Sequence, residues 1–330
     1  MLPLRPPPKE TIEGLLPPPP DFPCFAHSDV VPFQPTALVS SVSATGSFQD
    51  VNAWWLADAS LLVYGDAPSV KSRFNQSPLP GLGFSIDWIH DGDDIRGMVL
   101  SADDALVIVF RGTKLQLPGI SSTNPPSIVD LILGNEDLKI DSRFLPAASR
   151  AGGLVHSGFL EAFARISDRL DAVVKTRSSE QKLWLAGHSL GGALAVLALA
   201  HLADDGPIEG VYTYGCPRVG DRAFVDSLPP CVHRRFVHRE DVIAKLPPSW
   251  PFAYVDAGEF QAVPDVSPRA LLSDLNQSFS NLATALKRSI EQKRLDVGAV
   301  PFSIGGLADH APVYYATLLW NALAQGLNPD

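Results

Sequence analysis

Cysteine is nearly absent from this 330-residue chain. Cys24, Cys216 and Cys231 are odd in number and widely spaced, so neither a disulfide framework nor a Cys-x-x-Cys metal pair is available. Basic residues are also in deficit: 26 Lys and Arg against 36 Asp and Glu leave a net charge of −10. That balance argues against nucleic acid as a partner and against electrostatic docking on an anionic membrane. Long apolar runs are missing as well. The longest, Ala193 to Ala203 broken by His201, is too short to cross a bilayer. The opening Met1-Leu2-Pro3-Leu4-Arg5-Pro6-Pro7-Pro8 has no apolar core of a secretory leader. The default expectation is therefore a cytoplasmic protein, with export outside the Sec route as the alternative. A calcium loop is not present either. His90-Asp91-Gly92-Asp93-Asp94 lacks the ligand spacing and reads as a polar turn.

What the chain has is a large apolar fraction, 45%, enough for one sizeable α/β domain. Nine prolines fall within residues 1–23. Such a run forms neither helix nor central strand and reads as an extended tail wrapped on the domain, or else as a ligand for a proline-binding module. The expected division is a proline-rich extension over 1–49 and one domain over 50–330, with a helical insert near 264–308.

The organising stretch is Leu183-Trp184-Leu185-Ala186-Gly187-His188-Ser189-Leu190-Gly191-Gly192-Ala193. A short apolar run suits a buried strand, and the Ala/Leu-rich run to Ala203 suits a buried helix. Gly-His-Ser-Leu-Gly between them matches the G-x-S-x-G nucleophile elbow. A serine on so sharp a turn leaves no room for flanking side chains, which is what Gly187 and Gly191 provide. The turn lifts the Ser189 hydroxyl clear of the sheet. The following helix start places the Leu190 N–H where an oxyanion would form.

Other segments take their places around it. Asp50 to Tyr64 has helical spacing, with Asp50 as N-cap and Trp54 and Trp55 in the core. Ile95–Ser101 and Leu106–Phe110 read as paired strands. The second ends in Gly112-Thr113, where a second oxyanion donor would stand, and Thr113 offers both N–H and hydroxyl. Residues 114–127 read as a mobile cover or a packed loop. His156 reads as a hydrogen-bonded structural histidine at a helix start. Gly210–Gly215 and Arg235–His238 are further strands, so a mainly parallel sheet with crossovers is expected. Residues 268–295 form an amphipathic stripe that could dock on the domain, pair two copies or touch lipid.

A serine hydroxyl needs a base in contact, and the base needs a carboxylate to fix its tautomer. The chain order expected with such an elbow is Ser, then Asp or Glu, then His. His233, His238 and His310 follow Ser189. The first two fall before or within a strand, whereas His310 lies in a loop before an apolar helix and is the preferred base. Asp241, in a strand-end loop stiffened by Leu246-Pro247-Pro248, is the preferred acid and Asp256 the runner-up. Asp221 and Asp226 read as caps.

Phe110-Arg111-Gly112-Thr113, Val155-His156-Ser157-Gly158-Phe159, Gly187 to Ala195, Tyr214-Gly215-Cys216-Pro217-Arg218-Val219-Gly220 and Asp241 with Leu246-Pro247-Pro248 occur in one order. Together they resemble the class 3 lipases, the fungal-type triacylglycerol lipases of the α/β-hydrolase superfamily. The likeness covers roughly 50–260 and His310 to Tyr315. It implies an α/β-hydrolase fold, Ser189 as nucleophile, Asp241 as acid, His310 as base, and Thr113 with the Leu190 N–H as oxyanion hole. It implies no cofactor and no metal, an ester substrate at an oil–water interface, and a lid after Thr113. The loop from Lys114 to Ser127 is longer and richer in proline than a typical lid, and Asp256-Ala257-Gly258-Glu259 stands where His-x-Gly is common. A phospholipase A1, a feruloyl-type or polymer esterase on the same scaffold, and a non-catalytic binding protein are the alternatives.

Overall fold

A computed structural model of the chain describes residues 2–8, 18–19, 22–25, 50–113, 145–247, 249, 253–264 and 309–327. The expected cover at 114–127, the 264–308 insert and its 268–295 stripe therefore lie outside the described residues, apart from residue 264 itself.

Seven strands form the central sheet: β1 (Ser85–Asp91), β2 (Asp94–Ser101), β3 (Ala105–Phe110), β6 (Lys182–His188), β7 (Ile208–Tyr214), β9 (Val232–Val237) and β11 (Glu259–Ala262). They lie in the order β1-β2-β3-β6-β7-β9-β11. The β1-β2 and β2-β3 pairings are antiparallel hairpin neighbours, and every pairing from β3 to β11 is parallel. His90 to Asp94 form the β1–β2 turn region, as read from the sequence. A smaller sheet holds four short strands, β4 (Pro146–Ala148), β5 (Leu154–His156), β8 (Gly220–Asp221) and β10 (Tyr254–Val255), in the order β10-β8-β5-β4.

The helices are α1 (Val51–Leu62), α2 (Ala67–Gln76), α3 (Ser157–Ala164), α4 (Ser167–Lys175), α5 (Leu190–His201), α6 (Arg222–Asp226) and α7 (Pro312–Leu327). Alternation along the strands divides them between the two faces of the sheet. Val107, Val109, Trp184, Ala186, Tyr212 and Tyr214 pack with Trp54 and Trp55 of α1 and Trp320 of α7. Leu106, Ile108, Phe110, Leu183, Leu185 and Val211 pack with Phe159 and Phe163 of α3, Leu170 of α4 and the apolar run of α5. The central strands are buried on both faces, which is why β3 and β6 read as unbroken apolar runs. Among the described residues no helix is long and apolar enough to cross a membrane.

Local chemistry sets the boundaries. Asp50 caps α1 by accepting from the Ala53 N–H, and Asp221 caps α6 by accepting from the Phe224 N–H. His156 caps α3 through its ring nitrogen, taking the Gly158 and Phe159 N–H groups. It is the structural histidine that the sequence indicates. Cys216 is a buried free thiol whose pKa burial pushes up to about 12.

Candidate active site

The four parallel pairings align the ends of β3, β6, β7 and β9 along one rim. The candidate residues come from the loops at that rim. Ser189 follows the last residue of β6 and precedes the first of α5. Its backbone has φ 58° and ψ −128°, a region that costs a residue with a side chain about 1–3 kcal/mol. The Ser189 N–H donates to the Tyr214 carbonyl at 2.9 Å, which ties the bend to the end of β7.

The flanking glycines are explained by contact. A Cβ on Gly187 would collide with the backbone of Gly191 and Gly192, and one on Gly191 with the backbone of Phe110 and Arg111. A Cβ on Gly112 would strike the Tyr64 hydroxyl and, at 2.7 Å, the His188 carbonyl. The end of β3 is thus wedged against both sides of the elbow. Arg111 holds that strand end by a two-pronged pair with Asp94 at 2.9 and 2.7 Å.

Asp241 and His310 are brought together across 69 residues of sequence. His310 Nδ1 donates to Asp241 Oδ2 at 2.8 Å and lies 3.0 Å from Oδ1. Asp241 has no solvent exposure. Its Oδ2 also takes the Tyr315 hydroxyl at 2.6 Å, and its Oδ1 takes the Ile243 and Ala244 N–H groups at 2.9 and 3.3 Å. Burial alone would raise this carboxyl. The charge and hydrogen bond of His310 and the Tyr315 hydroxyl outweigh burial and hold it below the ordinary carboxylate value. With Nδ1 facing a carboxylate, the proton resides there and Nε2 is left as the acceptor. His310 Nε2 is buried and has no hydrogen-bond partner among the described residues.

The pair lies against the elbow. The rings of His310 and His188 have centroids 4.5 Å apart. A Cβ on Gly215, one residue beyond the end of β7, would reach Asp241 Oδ2 at 2.5 Å and His310 Nδ1 at 2.8 Å. Gly215 has φ +57°, so two separate constraints call for glycine there.

Thr113 lies three residues past the end of β3, and Leu190 directly follows Ser189. Thr113 is buried, and its Oγ1 has no partner among the described residues. Leu190 opens α5, so its N–H belongs to the first-turn donors that a helix cannot satisfy internally. Among the described residues the site therefore holds an unpaired hydroxyl, an unpaired imidazole nitrogen and a helix start.

A model of the class 3 lipases matches residues 107–250, the segment from β3 through the Asp241 loop. Over that segment the chain is similar to the class 3 lipases. Its Trp184–Ala195 elbow and its Asp241 loop both fall inside the matched segment. A secreted mono- and diacylglycerol lipase of Fusarium solani is 41% identical over 103 residues, covering 30% of this chain and 31% of that protein. A lipase of Rhizomucor miehei is 34% identical over 202 residues, covering 56% of this chain and 50% of that protein. The chain thus matches about a third to a half of the length of these relatives. The solved R. miehei triacylglyceride lipase superposes with a TM-score of 0.51 at 22% identity, over 82% of this chain and 94% of that one. That likeness shows the α/β-hydrolase fold. The cytoplasmic default needs correction. The F. solani relative is by name a secreted enzyme, and the composition of eight opening residues was too thin a basis for a location.

The other candidate residues are placed elsewhere. Asp256 is bound by Arg218 at 3.0 Å and by Arg235 at 3.3 Å, one guanidinium on each oxygen. His233 is half-buried beside Arg235 and Gly258, and desolvation followed by the Arg235 charge lowers its pKa to about 4. His238 Nδ1 contacts the Asp309 carbonyl at 3.1 Å, so it braces the loop that carries His310. Three participants had no assigned role in the sequence reading: Tyr315 on Asp241, and the Tyr64–His188 contact at 2.8 Å. Tyr315 lies five residues past His310, near the start of α7, a closeness that could have drawn attention to it. Tyr64 offered no signal at all.

Proposed function

We propose that this chain is a class 3 lipase, a serine-dependent carboxylic ester hydrolase that cleaves acylglycerols through an acyl-enzyme. The supporting observation is the Asp241–His310 pair: its outward nitrogen is buried, without a partner among the described residues, beside the elbow that carries Ser189. Ser189 Oγ attacks the ester carbonyl while His310 Nε2 takes its proton. Asp241 keeps the imidazole in the Nδ1–H tautomer and stabilises the imidazolium that forms. The Leu190 N–H and Thr113 take the oxyanion, each such donor being worth about 10²–10³ in rate. The proton then passes from Nε2 to the leaving alcohol. Water, activated by the same nitrogen, releases the fatty acid and restores Ser189. Acylglycerol as substrate class rests on the named activities of the relatives from F. solani and R. miehei.

Ser189→Ala should abolish ester hydrolysis without changing the melting temperature, and a fluorophosphonate should label Ser189 in the parent chain alone. A variant that keeps most of its turnover would refute the assignment. Profiling emulsified triglyceride, diglyceride, phospholipid and nitrophenyl esters then tests the substrate class. Hydrolysis confined to phospholipid would replace acylglycerol.

A further inference from the structure

The histidine next to the serine does more than fill the elbow. His188 is buried, and its two ring nitrogens are both engaged. Nε2 lies 2.7 Å from the main-chain carbonyl oxygen of His310, and Nδ1 lies 2.8 Å from the Tyr64 hydroxyl. A carbonyl oxygen can only accept, so Nε2 carries the hydrogen. In the neutral ring Nδ1 is then the acceptor, and Tyr64 donates to it. The direction Tyr64 O–H to His188, then His188 N–H to the His310 carbonyl, is fixed by chemistry rather than chosen.

We propose that His188 is a positioning residue that holds the His310 main chain against the elbow and so sets where the His310 ring meets Ser189. The inference rests on the reading of Ser189 and His310 as nucleophile and base. The geometry gives the link a short lever. His188 is the residue before Ser189, on the last position of β6, and its carbonyl packs on Gly112 beside Thr113. One residue, through its ring and its main-chain carbonyl, therefore connects the strand of the nucleophile, the loop of the base and the loop of an oxyanion donor. The Asp241 carboxylate orients the ring of His310 from one side. His188 fixes its backbone from the other, and His238 holds the preceding residue through the Asp309 carbonyl. Ring rotation and loop position are separate degrees of freedom, so the acid cannot substitute for this contact.

The neutral state that the link needs is supported by its surroundings. Burial first, and the neighbouring His310 charge second, hold the His188 pKa well below the ordinary value, while the hydrogen bond to the His310 carbonyl and the Asp241 charge pull the other way. The remaining groups facing the ring are Tyr64 and Tyr315, both phenols whose ionisation burial pushes upward. His188 thus stays uncharged while His310 cycles through its imidazolium, and the link survives each turnover.

Met and Gln at position 188 have similar length and flexibility, but only Gln can donate from its tip. On a soluble nitrophenyl ester, His188→Met should lower kcat about tenfold to a hundredfold with KM within about twofold. His188→Gln should recover most of that loss. Equal kcat in the two variants, or a loss confined to KM, would overturn the proposal. If the Met variant does not fold, nitrogen NMR of the histidines in Ser189→Ala decides. A His188 that keeps the Nε2–H tautomer down to about pH 5 supports the link, and one that is Nδ1–H or titrates near its ordinary pKa of about 6.5 overturns it. Turnover surviving in Ser189→Ala would defeat the underlying reading instead, whatever the result at His188.

Discussion

Asp241 and Asp256 show how much of this site depends on what surrounds a single carboxylate. In the sequence Asp241 lies in a strand-end loop and Asp256 ends a strand-like run, and both could have served the base. Asp241 accepts from one imidazole, one phenol and two main-chain N–H groups and has no exposure. Asp256 has both oxygens occupied by arginines, and its side chain is 39% exposed. Asp241→Asn should therefore lower kcat by on the order of 10³–10⁴, short of the loss in Ser189→Ala, because it disturbs the tautomer rather than removing the nucleophile. Asp256→Asn should stay within about tenfold of the parent, its loss limited to a partly exposed ion pair. Steady-state kinetics on one soluble ester checks the ranking, and the reverse order would move the acid to Asp256. Ser189, Asp241 and His310 could be proposed from sequence because a motif and a chain order constrain them. Tyr64, His188 and Tyr315 could not. The Tyr64–His188, His188–His310 and Tyr315–Asp241 contacts join residues between 74 and 124 positions apart, and no local pattern encodes such pairings.

At the scale of elements, legibility followed burial. β3, β6, β7 and their connections were readable because two-sided burial writes unbroken apolar runs. β1, an edge strand with one buried residue, left no such run. Only Val70 and Phe74 of α2 are buried, too few for a stripe. The strands of the smaller sheet are two or three residues long, below any period. α1 was readable partly through its cap, and that cap has a cost. Burial raises the Asp50 pKa to about 6, and the Ala53 N–H and the Arg234 charge offset only part of that rise. Between its unfolded value near 4 and about 6, the folded state binds a proton that the unfolded state has lost. Stability from this group is thus full below about pH 4 and falls as the pH rises through about 6. Asn keeps the capping oxygen and cannot ionise. The melting temperature of Asp50→Asn relative to the parent should climb across that window and level off above it. A constant difference would mean that Asp50 keeps an ordinary pKa in the folded state.

At the scale of the whole molecule, an arginine in the proline-rich start binds it into the domain. Arg5 is 5% exposed and grips Asp58 of α1 with both terminal nitrogens, at 2.6 and 2.7 Å. The same guanidinium donates to the Ala316 carbonyl of α7 and to the Pro23 carbonyl, each at 2.9 Å. Its main chain exchanges two hydrogen bonds with the Asn321 amide. The rings of Phe22, Trp54 and Trp320 surround it within 4.8–5.8 Å. This is the wrapped-tail reading, made by a residue that composition did not single out. The consequence reaches the site, because α7 begins two residues after His310 and carries Tyr315. Arg5→Met should destabilise the fold by about 3–5 kcal/mol, since it leaves the Asp58 carboxylate buried without its counter-charge. Pairing it with Asp58→Leu should return much of that loss, because a buried ion pair exchanged for apolar groups is often neutral. Denaturant unfolding of the two single variants and the double closes the cycle. If the double loses as much as the two singles added together, the clamp is not a coupled unit, and the link from the tail through α7 to Asp241 has no energetic basis.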